Sequence, residues 1–297
     1  MEYKSLTEEV KIPVLGIGTW GMGGEFSKDY SSDREDISAL KTAISLGMTH
    51  IDTAELYANG HSEELVGQAI RNFNRNNLFI TTKVWADHLK YNDLIRAAER
   101  SLKRMKINYI DLYLVHWPNP NVPLKETVRA LDFLVDKGIA KFIGVSNFSL
   151  PLLKETQRYS KNKIVSNQVE YNLFERTPEK ELLPYCQKED IMLVAYKPLN
   201  RGELAKSNYE LMNFLTEKYK KSPAQISLNW LISKPKVVVI PKASTILHLM
   251  DNLGAIGWRL EKEDLQKLDK IKLNSLTVMT TDSRVTKVVS DLEKRKI

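Results

Sequence analysis

This chain predicts an α/β fold closed into one (β/α)8 barrel of the TIM type, and three observations predict it. Eight apolar runs of strand length end at GIGTW, HIDTA, FITTKV, LYLVHW, FIGVSN, VSNQVEY, MLVAY and VVVIPK. Most read as nearly continuous rather than alternating, as strands do when both faces of a parallel sheet are covered. Amphipathic helical patterns lie between most of them, and eight such units are the number that closes a parallel sheet on itself.

The elements follow in order. YKSLTEEVKIPV is short and turn-rich, and reads as an N-terminal β-hairpin closing the barrel bottom. In the first barrel run Gly16, Gly18 and Gly21 spell G-x-G-x-x-G, the fingerprint of a dinucleotide phosphate loop. That motif needs its third glycine at the opening of a helix, whereas here MGGEFSKDYSSD intervenes before any helical period, so it is read as a barrel loop. After FITTKV, Asn92 is expected to cap a helix whose apolar stripe is Leu94, Ala98, Leu102 and Met105. Nothing resembles a linker or a repeat, so residues 1–297 are expected to form one domain. Residues 275–297 are set apart as a C-terminal tail, helical by the spacing of Val285, Val288, Val289 and Leu292.

Lys plus Arg number 44 against 37 Asp plus Glu, an excess of 7. The basic residues are scattered, with one dense cluster at Lys294, Arg295 and Lys296, so the charge reads as solvation and attraction for a phosphate-bearing cofactor rather than as a nucleic-acid surface. No segment approaches the ~20 apolar residues of a membrane helix, and a cytoplasmic monomer or weak oligomer is expected. Cys186 is the sole cysteine, which excludes an internal disulfide, and its helix-like surroundings suit a small core residue. His50, His61, His88, His116 and His248 show no paired ligand spacing, so no metal is expected.

The chemistry sits at strand ends. Asp52 closes HIDTA, Tyr57 follows five residues on, Lys83 lies in FITTKV and His116 follows LYLV. A phenol loses its proton near pH 10, so Tyr57 is a plausible general acid toward a carbonyl oxygen if a nearby cation stabilises its phenolate. Lys83 supplies such a cation, Asp52 holds Lys83 in place and charged, and the His116 imidazole can orient the carbonyl oxygen. In a parallel barrel these ends converge on one mouth.

GMTHIDTAELY, ITTKVW, LYLVHWP, GVSNF, NQVEYN, VAYKPL and VIPKAS together resemble the aldo-keto reductases in content, order and spacing, from Gly16 to about Leu273. The family's Asp, Tyr, Lys, His tetrad falls on Asp52, Tyr57, Lys83 and His116, none missing. The resemblance implies NAD(P)H-dependent, reversible reduction of aldehydes or ketones, with hydride from a nicotinamide. It places Thr19 near the cofactor, Trp20 at the pocket wall, Ser146, Asn147 and Gln168 on the carboxamide alongside Asp52, and Tyr196 against the ring. Trp20, Tyr57, Trp85, His116 and Trp117 then form an aromatic substrate pocket.

Beyond the ring, Lys197, Pro198 and Leu199 stand where many relatives carry Ser, Pro and Leu; Lys197 is either a solvated side chain or an added pyrophosphate contact. Leu199, Gly202 and Leu204 match the loop over the pyrophosphate, Ile240, Pro241, Lys242 and Ser244 the phosphate segment, and Asp251 with Asn252 the adenine end. His248 falls where NADP-preferring relatives carry Arg, and Ala243 where Ser is common. Imidazole is not charged at every pH as guanidinium is, so NADP(H) is expected to be preferred over NAD(H) by a reduced margin, unless His248 merely opens a helix. The alternative function is a cofactor-binding structural or regulatory subunit of the same fold with little turnover, against which the intact tetrad argues.

Overall fold

The computed structural model describes residues 1–206 and 209–270; the proposed tail at 275–297 lies outside them. β1 (Tyr3–Ser5) and β2 (Lys11–Pro13) pair antiparallel, with Tyr3 opposite Pro13, as the expected hairpin. The eight predicted barrel strands follow as β3 (Ile17–Gly18), β4 (His50–Asp52), β5 (Phe79–Val84), β6 (Ile110–Val115), β7 (Ala140–Ser146), β8 (Ile164–Glu170), β9 (Met192–Tyr196) and β10 (Val237–Val239). They form one parallel sheet in chain order.

The sheet closes at its two outer strands. Leu15 bridges Val239, the Gly16 N–H donates to the Val239 carbonyl at 2.8 Å, and the Gly18 N–H donates to the Pro241 carbonyl at 3.1 Å. A side chain at position 18 would obstruct this seam, because a Cβ there would lie 2.8 Å from the Ile240 carbonyl oxygen. Gly16 and Gly18 of the G-x-G-x-x-G run therefore serve barrel closure, and the next helix begins only at Asp33.

Helices α1 (Asp33–Ser45), α2 (His61–Ile70), α3 (Tyr91–Met105), α4 (Leu124–Asp136), α5 (Leu150–Tyr159) and α6 (Leu182–Lys188) alternate with the strands from β3 to β9. Between β9 and β10 lie α7 (Glu210–Tyr219) and α8 (Pro223–Ser233), and α9 (Ile246–Leu253) and α10 (Lys262–Lys270) follow β10. The stripe expected on α3 faces inward, with Leu94, Ala98 and Met105 fully buried and Leu102 packed behind them. Its cap differs from expectation. Lys90 occupies the extended cap position, Asn92 lies inside the first turn, and the first amide, Tyr91 N–H, donates 2.9 Å to Glu126 of α4. A neighbouring helix fills the need that a local side chain was expected to fill.

Two apolar layers result. The outer one joins strands to helices; the inner one fills the lower barrel with Leu112, Leu114, Val165, Met192, Val194 and Val238, sealed by Leu6 and Ile12 of the hairpin. Lys4 pins that plug by donating to the carbonyls of Ile232, Lys234 and Val237, each at 2.6 Å, which satisfies the end of α8. With the bottom closed and mainly apolar, His50 excepted, the polar side chains named below stand at the other end. Among the described residues no helix is long and apolar enough to cross a membrane.

Gly18→Ala is expected to destabilise the fold by roughly 1–3 kcal/mol through overpacking at the seam. Urea unfolding checks this; an unmoved midpoint would mean that the seam yields without cost.

Candidate active site

The C-terminal ends of the barrel strands open on one mouth. Asp52 ends β4, Lys83 is next to last in β5, His116 follows β6, Ser146 ends β7 with Asn147 after it, Gln168 lies near the end of β8, Tyr196 ends β9 and Lys242 stands just beyond β10. Asp52 is in register with Thr81, so Lys83, two residues further along β5, projects from the same face one level higher.

That register produces the central contact. Lys83 is fully buried and its ammonium donates to Asp52 Oδ1 at 2.5 Å, to the Thr53 carbonyl at 2.8 Å and to the Tyr57 hydroxyl at 3.3 Å. An ammonium has three donors, and all three are used. The other carboxylate oxygen of Asp52 accepts from Gln168 Nε2 at 2.7 Å. From there the chain of hydrogen bonds runs on: Ser146 Oγ donates to the Gln168 carbonyl at 2.9 Å, Asn147 Nδ2 to Ser146 Oγ at 3.0 Å, and the Tyr196 hydroxyl to Asn147 Oδ1 at 2.9 Å. Asn147 Nδ2 also donates to the His116 carbonyl at 3.0 Å, from a left-handed backbone with φ of +62° that asparagine tolerates better than most residues.

Tyr57 is held in the loop between β4 and α2 by rings on two sides. Trp20 meets it edge-on at 5.0 Å and His116 at 5.6 Å; Trp85 in turn meets His116 at 5.5 Å, and Phe26 backs Trp20 at 5.2 Å. Trp117 is half-buried beside His116 in the chain. Four of the five residues expected in an aromatic pocket thus share ring contacts.

Burial pushes the Tyr57 phenol well above its ordinary range, and the charge of Asp52 pushes it the same way. The expected cation is in place, 3.3 Å from the hydroxyl, with Asp52 on its other side; burial is the largest influence on the un-ionised phenol. Burial also draws the Lys83 ammonium down, against the pull of Asp52. His116 falls well below its ordinary value through burial and then the Lys83 charge, so its imidazole is neutral at neutral pH.

The remaining predicted residues divide into those at the surface and those committed within the fold. Thr19 is fully buried with its hydroxyl accepting from Ser62 at 2.8 Å. Lys197 is paired with Glu170 at 2.9 Å, so it is not simply a solvated side chain. Pro198, Leu204, Ile240 and Pro241 are buried, Leu199 and Gly202 half-buried, and Lys242, Ser244 and His248 exposed. The Lys242 ammonium lies over Gly21, where an added Cβ would approach it to 3.2 Å. The His248 amide is capped by the Thr245 hydroxyl at 3.2 Å. Asp251 accepts from Ser222 at 2.7 Å and Gln225 at 3.0 Å, and Asn252 is buried beside it. Cys186 is buried in the outer core, its thiol pushed up to about 12 by desolvation, which suits packing rather than attack. Among the described residues no cluster of His, Cys, Asp or Glu could hold a metal ion.

Three contacts were not read from the sequence: the Thr53 carbonyl on Lys83, the Glu55 carboxylate accepting from the Trp85 N–H at 2.8 Å, and Asn119 donating to the Ala86 carbonyl at 2.9 Å. Glu55 stands within the HIDTAELY segment itself, yet nothing in that segment shows that its carboxylate reaches the loop after β5.

Residues 14–273 match the Aldo/keto reductase family. The chain is 36% identical to methylglyoxal reductase YeaE of Escherichia coli over 88% of its own length and 92% of that protein's. Among solved structures, a thermostable aldo-keto reductase, Tm1743, in complex with the inhibitor epalrestat superposes with a TM-score of 0.87 at 47% identity, covering 91% of this chain and 99% of the other. An aldo/keto reductase of Klebsiella pneumoniae in complex with NADP and acetate superposes with a TM-score of 0.80 at 35% identity, covering 89% and 92%. With a closed parallel barrel, a buried Lys–Asp pair touching a protonated phenol, and these likenesses over nine-tenths of its length, the chain belongs to the aldo/keto reductase family and carries out carbonyl reduction.

Proposed function

We propose that the chain is an NADP(H)-preferring reductase of small aldehydes and ketones, with Tyr57 as proton donor. One observation carries the reading most: a fully buried ammonium whose donors are filled by Asp52, Thr53 and the Tyr57 hydroxyl. A nicotinamide, when bound, supplies the hydride. The donor set fits that group. Ser146, Asn147 and Gln168 stand side by side at the mouth and suit a carboxamide, which must both donate and accept, while the half-buried Tyr196 ring offers a flat face beside them.

The residues divide the remaining work. Nδ1 of His116 is buried without a partner. The tautomer that leaves only a bare lone pair there carries its proton on Nε2, and a neutral imidazole so arranged donates to the carbonyl oxygen without competing to protonate it. Tyr57 is held protonated by burial and gives its proton to that oxygen as the carbon accepts hydride. The phenolate that remains lies against Lys83, whose charge then stabilises it. The similarity to an enzyme named methylglyoxal reductase supports short oxo-aldehydes among the substrates. Lys242 and His248 are both exposed on the segment after β10, which supports a role for them at a 2′-phosphate.

Tyr57→Phe is expected to lower kcat for aldehyde reduction by about 10² to 10⁴ while leaving NADPH affinity nearly unchanged. Turnover within a few-fold of wild type would remove Tyr57 from the role. Because the phenol is raised and the imidazole lowered, neither changes charge in the neutral range, and kcat for reduction should stay flat from about pH 6 to 9. An acid-side loss that disappears in His116→Gln would contradict the neutral imidazole. For cofactor choice, His248→Arg should raise the NADPH-to-NADH ratio of affinities about tenfold, as expected for one added charge-assisted bond. Dissociation constants from protein fluorescence test this, and an unmoved ratio would show that His248 only opens α9.

A further inference from the structure

His116 is oriented in an unusual way for an imidazole that must aim a proton. A histidine in such a task is commonly fixed by a hydrogen bond from behind. Here Nδ1 is buried with no hydrogen-bond partner among the described residues, and the ring is flanked by the edges of Tyr57, at 5.6 Å and 75°, and Trp85, at 5.5 Å and 83°. The aim of His116 therefore depends on how firmly those two rings are held relative to each other.

They belong to different loops. Tyr57 ends the loop that leaves β4, and Trp85 begins the loop that leaves β5. Glu55 joins them. Its backbone N–H donates to the Lys83 carbonyl at 3.2 Å, and its carboxylate accepts from the Trp85 N–H at 2.8 Å, so two successive rungs tie the loops together beyond the last strand pairing. The same carboxylate is itself anchored, by His88 Nδ1 at 2.9 Å and by Arg100 of α3 at 3.6 Å, and it is largely buried. From the far side Asn119, three residues past His116, donates to the Ala86 carbonyl at 2.9 Å, so the Trp85 loop is gripped between the loops that carry the other two groups.

We propose that Glu55 is a positioning residue for carbonyl reduction: its carboxylate locks the Tyr57 loop to the Trp85 loop and thereby sets the two rings between which His116 is aimed. The inference rests on the roles given to Tyr57 and His116. It places a buried carboxylate within the proton-delivery apparatus without contact to substrate or cofactor.

A double-variant cycle tests it, with kcat and KM measured for a small aldehyde at saturating NADPH, NADPH dissociation constants from protein fluorescence, and melting midpoints. Glu55→Ala should lower kcat/KM by about tenfold to a hundredfold, chiefly through kcat, as small misplacements of acting groups do. NADPH affinity should stay within about twofold of wild type, since no cofactor-side residue is touched. Glu55→Gln keeps an acceptor for the Trp85 N–H and should recover activity to within about threefold. Glu55→Asp keeps the charge but is a methylene too short, and should resemble Glu55→Ala even if the alanine variant folds poorly. In a Trp85→Leu background, where the held ring is already gone, Glu55→Asp should cost less than about twofold more. Losses that multiply in the double variant, or a fall in NADPH affinity as large as the fall in kcat, would overturn the proposal. An active Tyr57→Phe enzyme would sink the proton-donor assignment instead, whatever the cycle reports on Glu55 and Trp85.

Discussion

Asp52 and Lys83 face each other inside the barrel at 2.5 Å, the carboxylate 1% exposed and the lysine not at all. Removing two charges from water is costly, and a buried pair is tolerated only when its remaining donors and acceptors are filled. That requirement organises the mouth. Oδ2 of Asp52 must find Gln168 from β8, and the ammonium must find the Thr53 carbonyl and then a third acceptor, which is the Tyr57 hydroxyl. The pair therefore ties β4 and β5 to β8 and puts a phenol where a cation can meet the charge its oxygen gains on losing a proton. Through Gln168 the same requirement passes to Ser146, Asn147 and Tyr196.

The pair can exist because the barrel is divided. Its lower half is filled mainly with apolar side chains and stoppered by Leu6 and Ile12, which cover the charges from beneath. His50, on the same strand as Asp52, is fully buried, and desolvation draws its imidazole down to about 4, which keeps it neutral. No second cation therefore sits under Lys83 to weaken its hold on the carboxylate. The same burial keeps Tyr57 protonated, since a desolvated phenolate is disfavoured.

The eight strands were legible because each is an apolar run that needs no partner to be recognised, and the tetrad because its members stand at the ends of those runs. Legibility failed where a property belongs to two segments at once. Asn92 reads as a cap by type, yet Glu126 of the next helix takes the amide in question. Glu55 reads as one more acidic residue, and only the fold brings Trp85 to it. Lys83 was legible as the neighbour of Tyr57, whereas the influence of burial and of Asp52 on the phenol needs the packed barrel. Asp251, read at the adenine end, also accepts from Ser222 and Gln225 of the capping box of α8, a contact that its own segment does not show.

The sealed back of the ion pair also governs how the catalyst is reset. After each turnover the phenol oxygen must regain a proton, and among the described residues Lys83, Asp52 and Thr53 are buried behind it over an apolar floor. That packing directs replenishment to the mouth of the barrel, so the opening that admits the substrate also serves the recharging of the acid.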